Sequence, residues 1–565
     1  MKALKKSLFL FLAVAMLVAV AAGCGTQPAE ETKAPDETKA PAETKAPEKT
    51  EDPGADEPDE PKSMYPISDE PLTFTGFIAV GTFVSSLLEN GDFNTIVGIN
   101  AANEACNVEL EVEYVDNFFY NEQFQIRTAA GDLPDFLDSA ENYYSGGIEA
   151  LIADEICIDI VPYLEEYCPD YYAIWSEDTD FRNATLSDAG HATTVWGRYE
   201  ATNGGAIIRQ DWLDDLKLEM PTTYDELHDV LAAFKTEKNA SNPFLICNGF
   251  QCLSAGGNSK SWFIGGYGLT CSGQNSDLAW IAEDGVVKCT YNDSRMKDYV
   301  SMLSQWMAEG LISEDNFSIN NVTPDKIPHI AAGESGMWID GSNSLNGSMN
   351  ASVEDPNFRI AAMADVTLKE GDTIKTGDNR GLLGNGGWSI TAECENPEQL
   401  LMYINWAFTE EGRFITNYGV EGQAHEKDAS GNIVYTDFIT KNPDGNPSAA
   451  MFCLYCTFWS IPMDRVTYTW TGMLPEEYQG CIDLWTSNRS NENQYFGAMT
   501  AEEAATYNAK VGDIVTFCQE CISKMIHGDV DIDTEWDAMI AEIEELGIDE
   551  LTAIKQAAYD RYMAR

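Results

Sequence analysis

A strand, a helix and a second strand fit within the 45 residues from Leu72 to Asp116, and this pattern most constrains the fold. The run LTFTGFIAV, which begins at Leu72, is typical of a buried strand. In VELEVEY, from Val108 to Tyr114, apolar residues alternate with glutamates, which indicates a strand with one buried face. Because two strands joined through a helix run parallel, the folded part is predicted to be α/β.

Helix boundaries are marked at three further places. Thr223 and Glu226 form a capping box, and Asn396-Pro397 supplies a cap followed by a first-turn proline. Near the C-terminus, Thr534 is predicted to cap a helix that ends at Gly547. The apolar side chains of the first and last of these helices share one face: Leu227, Val230, Leu231 and Phe234 in one, and Trp536, Met539, Ile540, Ile543 and Leu546 in the other.

The N-terminus is predicted to be a signal peptide, residues 1–23. Three lysines, the last at Lys6, precede an apolar run from Leu8 to Ala22 that is shorter than the roughly 20 residues of a spanning helix. Small residues then precede Cys24, which resembles the lipobox of bacterial lipoproteins. The resemblance implies that Cys24 is lipidated, with palmitate among the expected acyl groups, and that lipid alone holds the mature chain.

Residues 24–64 are predicted to be a disordered tether rich in Pro, Glu and Lys. The motif ETKAP occurs three times, beginning at Glu31, Glu37 and Glu43. Such a segment has too few apolar side chains to offset the entropy of ordering. We expect it to act as a spacer between the lipid and the folded domain.

Length and charge restrict the function of the rest. A chain of 565 residues that is 44% hydrophobic is too apolar for a disordered protein and too long for one core, so two lobes are expected. The formal charge of −59 repels phosphate backbones and anionic lipid. Nucleic-acid binding and membrane-surface binding are therefore disfavoured, and a domain outside a cell is favoured.

Five segments, in order along the chain, carry a family resemblance: AAGDLPD from Ala129, ALIADEICIDIVPYLEEYCPDY from Ala150, IIRQDWLDDLKLEMPTTYDEL from Ile207, NWAFTEEGRFITNYGVEG from Asn405, and the closing DVDIDTEWDAMIAEIEELGIDEL. Together they resemble the carbohydrate-type extracellular solute-binding lipoproteins of Gram-positive bacteria. The resemblance implies a two-lobe, periplasmic-binding-protein-like (type II) α/β fold with a ligand cleft between the lobes and a helical C-terminal segment. It also implies a monomer that delivers its ligand to the permease of an ABC importer.

By the same resemblance, the chain passes between the lobes three times. Lobe 1 is expected to comprise residues 65–200 and 386–455, and lobe 2 residues 201–385 followed by the helical part, 456–565. The passages are expected near Arg198 to Gly205, Leu383 to Trp388 and Met451 to Ser460.

A neutral glycan needs aromatic platforms and polar groups that bind hydroxyls. Trp338 with Asp340, two residues apart in GMWID, and Trp388 after two glycines are the leading candidates. Asp211 and Trp212 are interpreted as a helix cap and a buried anchor, and Glu421 either lines the cleft or fixes a loop. The remaining aromatic candidates, each of which also fits an ordinary core or rim position, are Tyr143, Tyr144, Trp196 and Trp459.

Metal and catalytic motifs are weak or missing from the sequence. Thirteen cysteines besides Cys24 leave at least one thiol unpaired in a monomer, and the pairs Cys453/Cys456 and Cys518/Cys521 suit buried positions better than zinc. Asp529, Asp531 and Asp533 begin like an EF-hand loop, which lacks the glycine and the final glutamate. No metal or cofactor is expected, and no nucleophile motif is found.

Three hypotheses remain open. The leading one is a non-catalytic protein that closes around a carbohydrate, with an oligosaccharide expected, and hands it to an importer. A second keeps the fold and changes the ligand to a peptide or another solute. The third is a surface glycan-active enzyme, since aromatic platforms and carboxylates also serve hydrolases. The lack of a basic cluster favours neutral sugars.

Overall fold

The computed structural model describes residues 64–81, 84, 87–88, 92–199, 204–246, 263–270, 277–319, 323–345, 355–376, 383–384, 386–444, 446, 448–456, 460–466, 469, 471–490 and 492–565. They belong to one compact unit, Ser63–Arg565. The predicted signal peptide, Cys24 and tether residues 24–63 lie outside the described residues.

Strands and helices alternate through most of the chain, and a helical segment closes it. The strands are Leu72–Val80 (β1), Val108–Asp116 (β2), Phe136–Asp138 (β3), Thr194–Trp196 (β4), Arg198–Tyr199 (β5), Gly204–Arg209 (β6), Phe244–Leu245 (β7), Trp280–Glu283 (β8), Val286–Cys289 (β9), Met337–Gly341 (β10), Ile360–Met363 (β11), Gly387–Ile390 (β12), His425–Lys427 (β13), Ile433–Tyr435 (β14) and Asp464–Arg465 (β15). The helices are Val97–Cys106 (α1), Asn117–Ala130 (α2), Gly147–Ala153 (α3), Val161–Tyr167 (α4), Pro169–Glu177 (α5), Thr179–Thr185 (α6), Gln210–Leu216 (α7), Tyr224–Glu237 (α8), Ser294–Ala308 (α9), Thr323–Ala331 (α10), Pro397–Trp406 (α11), Glu410–Tyr418 (α12), Asp437–Thr440 (α13), Ser448–Tyr455 (α14), Cys481–Thr486 (α15), Ala501–His527 (α16), Ile532–Leu546 (α17) and Ile548–Met563 (α18).

The first sheet has five strands in the order β2-β1-β3-β12-β4. β1 and β2 pair in parallel over their whole length, from Leu72 opposite Val108 to Val80 opposite Asp116, which confirms the predicted βαβ unit. β12 pairs antiparallel with β3 and β4. Alternate residues of β1 enter two different hydrophobic clusters, so this strand is buried on both faces, as its continuous apolar run predicts.

The second sheet has four strands in the order β11-β6-β10-β7. Its central strand β6, with the sequence GGAIIR, is buried throughout and pairs antiparallel with β10 and β11. Ile208 packs into one hydrophobic cluster and Ile207 into another, on the opposite face of the sheet. The second sheet is therefore also covered on both faces.

The C-terminal helices α16, α17 and α18 pack on one side of the second sheet. Ile514, Met539 and Leu551 are fully buried in the cluster that also holds Ile208. This packing confirms the helical C-terminal segment and the mixed α/β class.

The predicted helix signals have different outcomes. Thr223 and Glu226 form both hydrogen bonds of the capping box, and Gly547 ends α17 in a left-handed conformation with φ 100°. The cap predicted at Thr534 is wrong. Asp531 caps α17 instead, because its carboxylate accepts hydrogen bonds from the backbone N and the Oγ1 of Thr534.

Three segments connect the two sheets or the cores around them. Residues 197–203 join β4 to β6, residues 364–386 join β11 to β12, and the third connection follows α14 and leads to α15. Met451 itself lies in α14, within the core of the first sheet, and the β15 ladder begins at Asp464.

The ten cysteines of the described residues are all buried and unpaired. Burial raises the pKa of the Cys106 and Cys453 thiols to about 12. The pairs Cys453/Cys456 and Cys518/Cys521 thus have the buried position expected of them. Within the described ranges, no group of three or more His, Cys, Asp or Glu side chains is arranged to hold a metal ion, and no helix could cross a bilayer.

Candidate functional site

The carboxyl ends of β1, β2, β3 and β4 lie at one edge of the first sheet, which is where ligands bind in open α/β sheets. Asp138 ends β3 at this edge. Its carboxylate accepts hydrogen bonds from Ser139 Oγ at 2.7 Å and from the Ala79 backbone N at 3.2 Å. Burial raises the pKa of the Asp138 carboxyl to about 7. Asp138 is therefore a buried acid held by neutral donors.

Glu141 follows in the short 3-10 turn Ala140–Asn142 at the same edge. Its carboxylate accepts hydrogen bonds from Trp196 Nε1 at 2.9 Å, Thr194 Oγ1 at 2.9 Å and Thr193 Oγ1 at 3.3 Å. Burial raises the pKa of this carboxyl as well, to about 7. Glu141 thus ties the end of β3 to the end of β4.

In the second sheet, the start of β6 and the end of β10 lie at the same edge, which the chain reaches from β4 through residues 197–203. Asp340 lies opposite Gly205 there. Lys326 of α10, whose side chain is 1% exposed, approaches the Asp340 carboxylate to 2.6 Å. Beyond β10, the buried hydroxyls of Ser342 and Ser344 have no hydrogen-bond partner among the described residues. Buried polar groups normally have one, so this edge offers unused hydrogen-bonding capacity.

The connecting segments are hydrogen-bonded to one another just beyond the end of β4. The Gly197 backbone N donates to Gly386 O, and Gly384 N donates to Gly197 O. Gly197 packs so closely that a Cβ there would lie 3.0 Å from Met463 O. Because glycine permits such approaches, these residues hold the three connections in one backbone ladder.

The ladder extends into an ion-pair network. β5 and β15 pair in parallel, with Arg198 opposite Asp464. The Asp464 carboxylate, 5% exposed, accepts hydrogen bonds from Arg198 Nε at 3.0 Å and Arg413 Nε at 2.6 Å. Arg198 also lies 3.5 Å from Asp178. This network fastens the first and third connections to α12.

Trp388 and Trp338 are core residues in this structure, with exposed fractions of 1% and 0%. The Trp388 ring stacks on Phe136 at 4.1 Å between centroids, and its Nε1 donates to Ser460 O. Trp338 packs among the aliphatic side chains on one face of the second sheet. Neither ring presents a face to solvent, so the platform role predicted for them has no open surface here.

The other predicted site residues are dispersed. Trp196 is 3% exposed and reaches the first edge through its bond to Glu141. Tyr144, partly exposed, donates its hydroxyl to Asp154. Glu421 is an exposed loop residue that follows α12, and its carboxylate lies 3.5 Å from Lys427 Nζ. Trp459 lies outside the described residues.

Two further sequence interpretations concern Asp211 and the aspartates near the C-terminus. The helix cap interpreted at Asp211 is wrong, because Asp211 lies within the first turn of α7 and pairs with Arg209. The buried anchor interpreted at Trp212 is confirmed, and the Arg209 guanidinium lies over its ring. Asp531 caps α17 and Asp533 pairs with Lys297. The EF-hand resemblance is therefore explained by helix capping and an ion pair.

The candidate site residues named from the sequence do not include Asp138, Ser139, Glu141 or Lys326, which the structure places at the two sheet edges. Asp138 is the last residue of the short strand FLD, and Ser139 and Glu141 follow it; an acidic and hydroxyl cluster at the end of a buried strand would have been a usable signal. The named candidates also do not include Phe119, which is 61% exposed in the first turn of α2 beside the end of β2. Nothing local marks Lys326, because its partner is brought to it only by the packing of α10.

The family model for bacterial extracellular solute-binding proteins matches residues 95–414, which is more than half of the chain. The protein therefore belongs to this family. Its members sit outside the cell and bind solutes.

Relatives of known ligand class cover most of the chain. A fructooligosaccharide ABC transporter substrate-binding protein of Streptococcus pneumoniae is 24% identical over 79% of this chain and 83% of its own length. A human-milk-oligosaccharide-binding protein of Bifidobacterium longum infantis has a TM-score of 0.68 at 17% identity, covering 88% of this chain and 99% of its own. An alginate-binding protein has a TM-score of 0.66 at 23% identity, covering 87% and 99%. These similarities confirm the two-lobe fold.

Proposed function

We propose that this protein is an extracellular solute-binding lipoprotein that captures an oligosaccharide and delivers it to the permease of an ABC importer. The named ligands of the relatives, fructooligosaccharide, milk oligosaccharide and alginate, all support a carbohydrate. Cys24 is the proposed lipid attachment site, and the acidic, proline-rich residues that follow it are the proposed spacer. The protein acts as a monomer on the outer face of the cell membrane.

One observation carries this proposal: hydrogen-bonding groups lie at one edge of each sheet, and the segments that connect the two sheets are tied together by a backbone ladder. Asp138, Ser139 and Glu141 lie on one edge, and Asp340 and Ser342 on the other. A ligand that contacts both edges favours the closed arrangement by its differential affinity for the two states. Exposed Phe119 offers an aromatic face at the rim.

The charges favour a neutral ligand. Neutral and acidic glycans both occur among the ligands named for the relatives. One relative binds fructooligosaccharide, and another is a polygalacturonan/rhamnogalacturonan-binding protein of Bacillus subtilis. Here the first edge carries the acids Asp138 and Glu141, with neutral donors around both. Lys326, the cation described at the second edge, is already paired with Asp340. A uronate carboxylate would find no counter-charge at the first edge and would find the cation at the second already paired.

Binding without catalysis is the better explanation of these acids. A glycosidase needs two carboxyl groups that reach the scissile bond. Asp138, which is buried, and Glu141, which is half-buried, instead accept hydrogen bonds from their own chain. A peptide ligand remains the alternative, and the screen below distinguishes it.

The test is a thermal-shift screen of residues 63–565. The panel comprises kestose, milk tetrasaccharides, alginate and galacturonate oligomers, and short peptides. A ligand at a hundredfold excess over Kd stabilises the native state by about 2.7 kcal/mol. We expect a shift with a neutral oligosaccharide that is recovered intact. A response to peptides alone would refute the carbohydrate proposal, and recovery of cleaved glycan would refute the non-catalytic one.

A further inference from the structure

A groove of about 900 Å³ runs along the outer side of α1, away from the two sheet edges. Its apolar lining comes from α1, α11, α12 and the chain after them, and includes Ala101, Trp406, Ile415, Val420 and Tyr455. Val420 is 44% exposed. Ala101, Ile415 and Tyr455 are partly exposed beside it, and Trp406 is buried at the base. Apolar surface at a groove is a feature of interaction surfaces.

The charged side chains among the described residues that line this α1 groove are acidic. Asp92, Glu104 and Glu411 lie along it, all three exposed. None of them forms an ion pair with another described residue, and no lysine, arginine or histidine occurs among the described lining residues. An apolar floor with unneutralised carboxylates along its sides is complementary to a segment that presents both apolar and cationic side chains.

Helix α12 links this groove to the connection between the lobes. Glu411 and Ile415, one turn apart, line the groove. Arg413 and Asn417, also one turn apart, face the β15 strand: Arg413 Nε donates to the Asp464 carboxylate, and Asn417 Nδ2 donates to Asp464 O at 2.9 Å. Asn417 Oδ1 accepts from the Val466 backbone N at 2.8 Å. A partner seated in the groove would thus contact the helix that anchors the third connection.

We propose that the α1 groove is the docking surface for a cationic, amphipathic polypeptide segment of the importer's membrane subunit. The inference rests on the proposed function, since it names the surface through which the loaded protein meets that subunit. Carboxylates attract the segment, and the apolar floor holds it. Because the docked segment would contact α12, and α12 is bonded to the third connection between the sheets, the affinity of docking can depend on how that connection is arranged.

The test uses the full-length lipoprotein, produced in the encoding bacterium after deletion of its chromosomal copy. The groove variant is Glu104→Lys with Glu411→Lys. The matched control is Glu542→Lys with Glu545→Lys, which reverses two exposed carboxylates on α17. Calorimetry with purified protein measures affinity for the saccharide that gives the largest shift in the screen, and uptake of the same labelled saccharide measures delivery.

We expect the groove variant to bind the saccharide within twofold of the parent Kd and to lose at least tenfold in initial uptake rate, while the control retains both. Val420→Asp should lower uptake and Val420→Ile should preserve it. Parental uptake by the groove variant would overturn the inference, as would an equal loss in the control. A parent that binds no saccharide would instead refute the proposed function, and calorimetry detects that failure separately.

Discussion

Arg198 and Asp464 are paired twice, once as opposite residues in the parallel β5–β15 ladder and once through an ion pair of 3.0 Å between Arg198 Nε and Asp464 Oδ1. The two residues are 266 positions apart in the sequence. They join the first and third connections between the sheets. The stiffness of this junction should therefore depend on one carboxylate.

Replacing that carboxylate should destabilise the fold. In Asp464→Asn, two guanidinium groups lose the charge of Asp464, which is 5% exposed, and Arg198 keeps only the more distant Asp178 at 3.5 Å. Breaking a buried ion pair costs 3–5 kcal/mol, and because both arginines are partly exposed we expect about 2 kcal/mol. Urea unfolding followed by tryptophan fluorescence measures it. Asp437→Asn, which breaks an exposed pair with Lys441, should change stability by less than about 0.5 kcal/mol, and an equal loss in both would contradict the assignment.

Trp388 should matter for stability more than for ligand contact. Trp388→Ala removes a ring that is stacked on Phe136 in the core, and we expect a loss of about 3–5 kcal/mol in the free energy of unfolding. Trp388→Phe keeps most of the packing, loses the bond to Ser460 O, and should bind the ligand with the parent Kd. A large drop in affinity for Trp388→Phe, at a temperature where it is folded, would restore the platform role.

Stability should fall as the pH rises from about 4 to about 7. Burial raises the pKa of Asp138 from 3.8 and of Glu141 from 4.5, each to about 7, so in this window the native state holds protons that the unfolded state has lost. Each group then contributes up to about 1.4 kcal/mol of lost stability per pH unit. Melting temperatures between pH 5 and pH 8 test this.

Neutral variants isolate the contribution of each acid. Asp138→Asn and Glu141→Gln keep the shape of the side chain and cannot ionise. In each variant the melting temperature should therefore fall less steeply above pH 5 than in the parent. The dependence that remains reports the other carboxylates and the self-repulsion of a chain with a charge of −59. Identical slopes in parent and variants would show that these two acids do not titrate in the window.

The buried thiols should resist modification. The ten described cysteines are buried, and burial raises the pKa of Cys289, Cys394 and Cys481 to about 12. Since the thiolate is the reactive form, an aromatic disulfide reagent at pH 8 should label none of the ten in the native protein and all of them in urea. Peptide mass mapping identifies the labelled sites. Rapid native labelling of Cys453 or Cys456 would contradict the packed position of α14.

The sequence predicted much of the architecture because the responsible signals are local. The alternation in VELEVEY and the apolar run at Leu72 are the direct consequence of a strand's two faces, and both strands form as expected. The Thr223 capping box and the Gly547 stop depend on backbone groups within a few residues, and both are observed. At the start of α17, Asp531 and Thr534 are both residues that can cap a helix, and Asp531 is the one that does.

The site depended on information that no local pattern carries. Trp338 and Trp388 satisfy every local criterion for a platform, yet both lie in strands whose two faces are covered by helices, so their rings are buried. Asp340 obtains its charge partner only when α10 packs beneath β10. Sequence determined the α/β class, the helix ends and the family, because those follow from periodicity and short-range hydrogen bonds. Tertiary structure alone decided which side chains face solvent and which charges meet, because burial and ion pairing depend on how separate elements pack, as α10 does against β10 and β5 against β15.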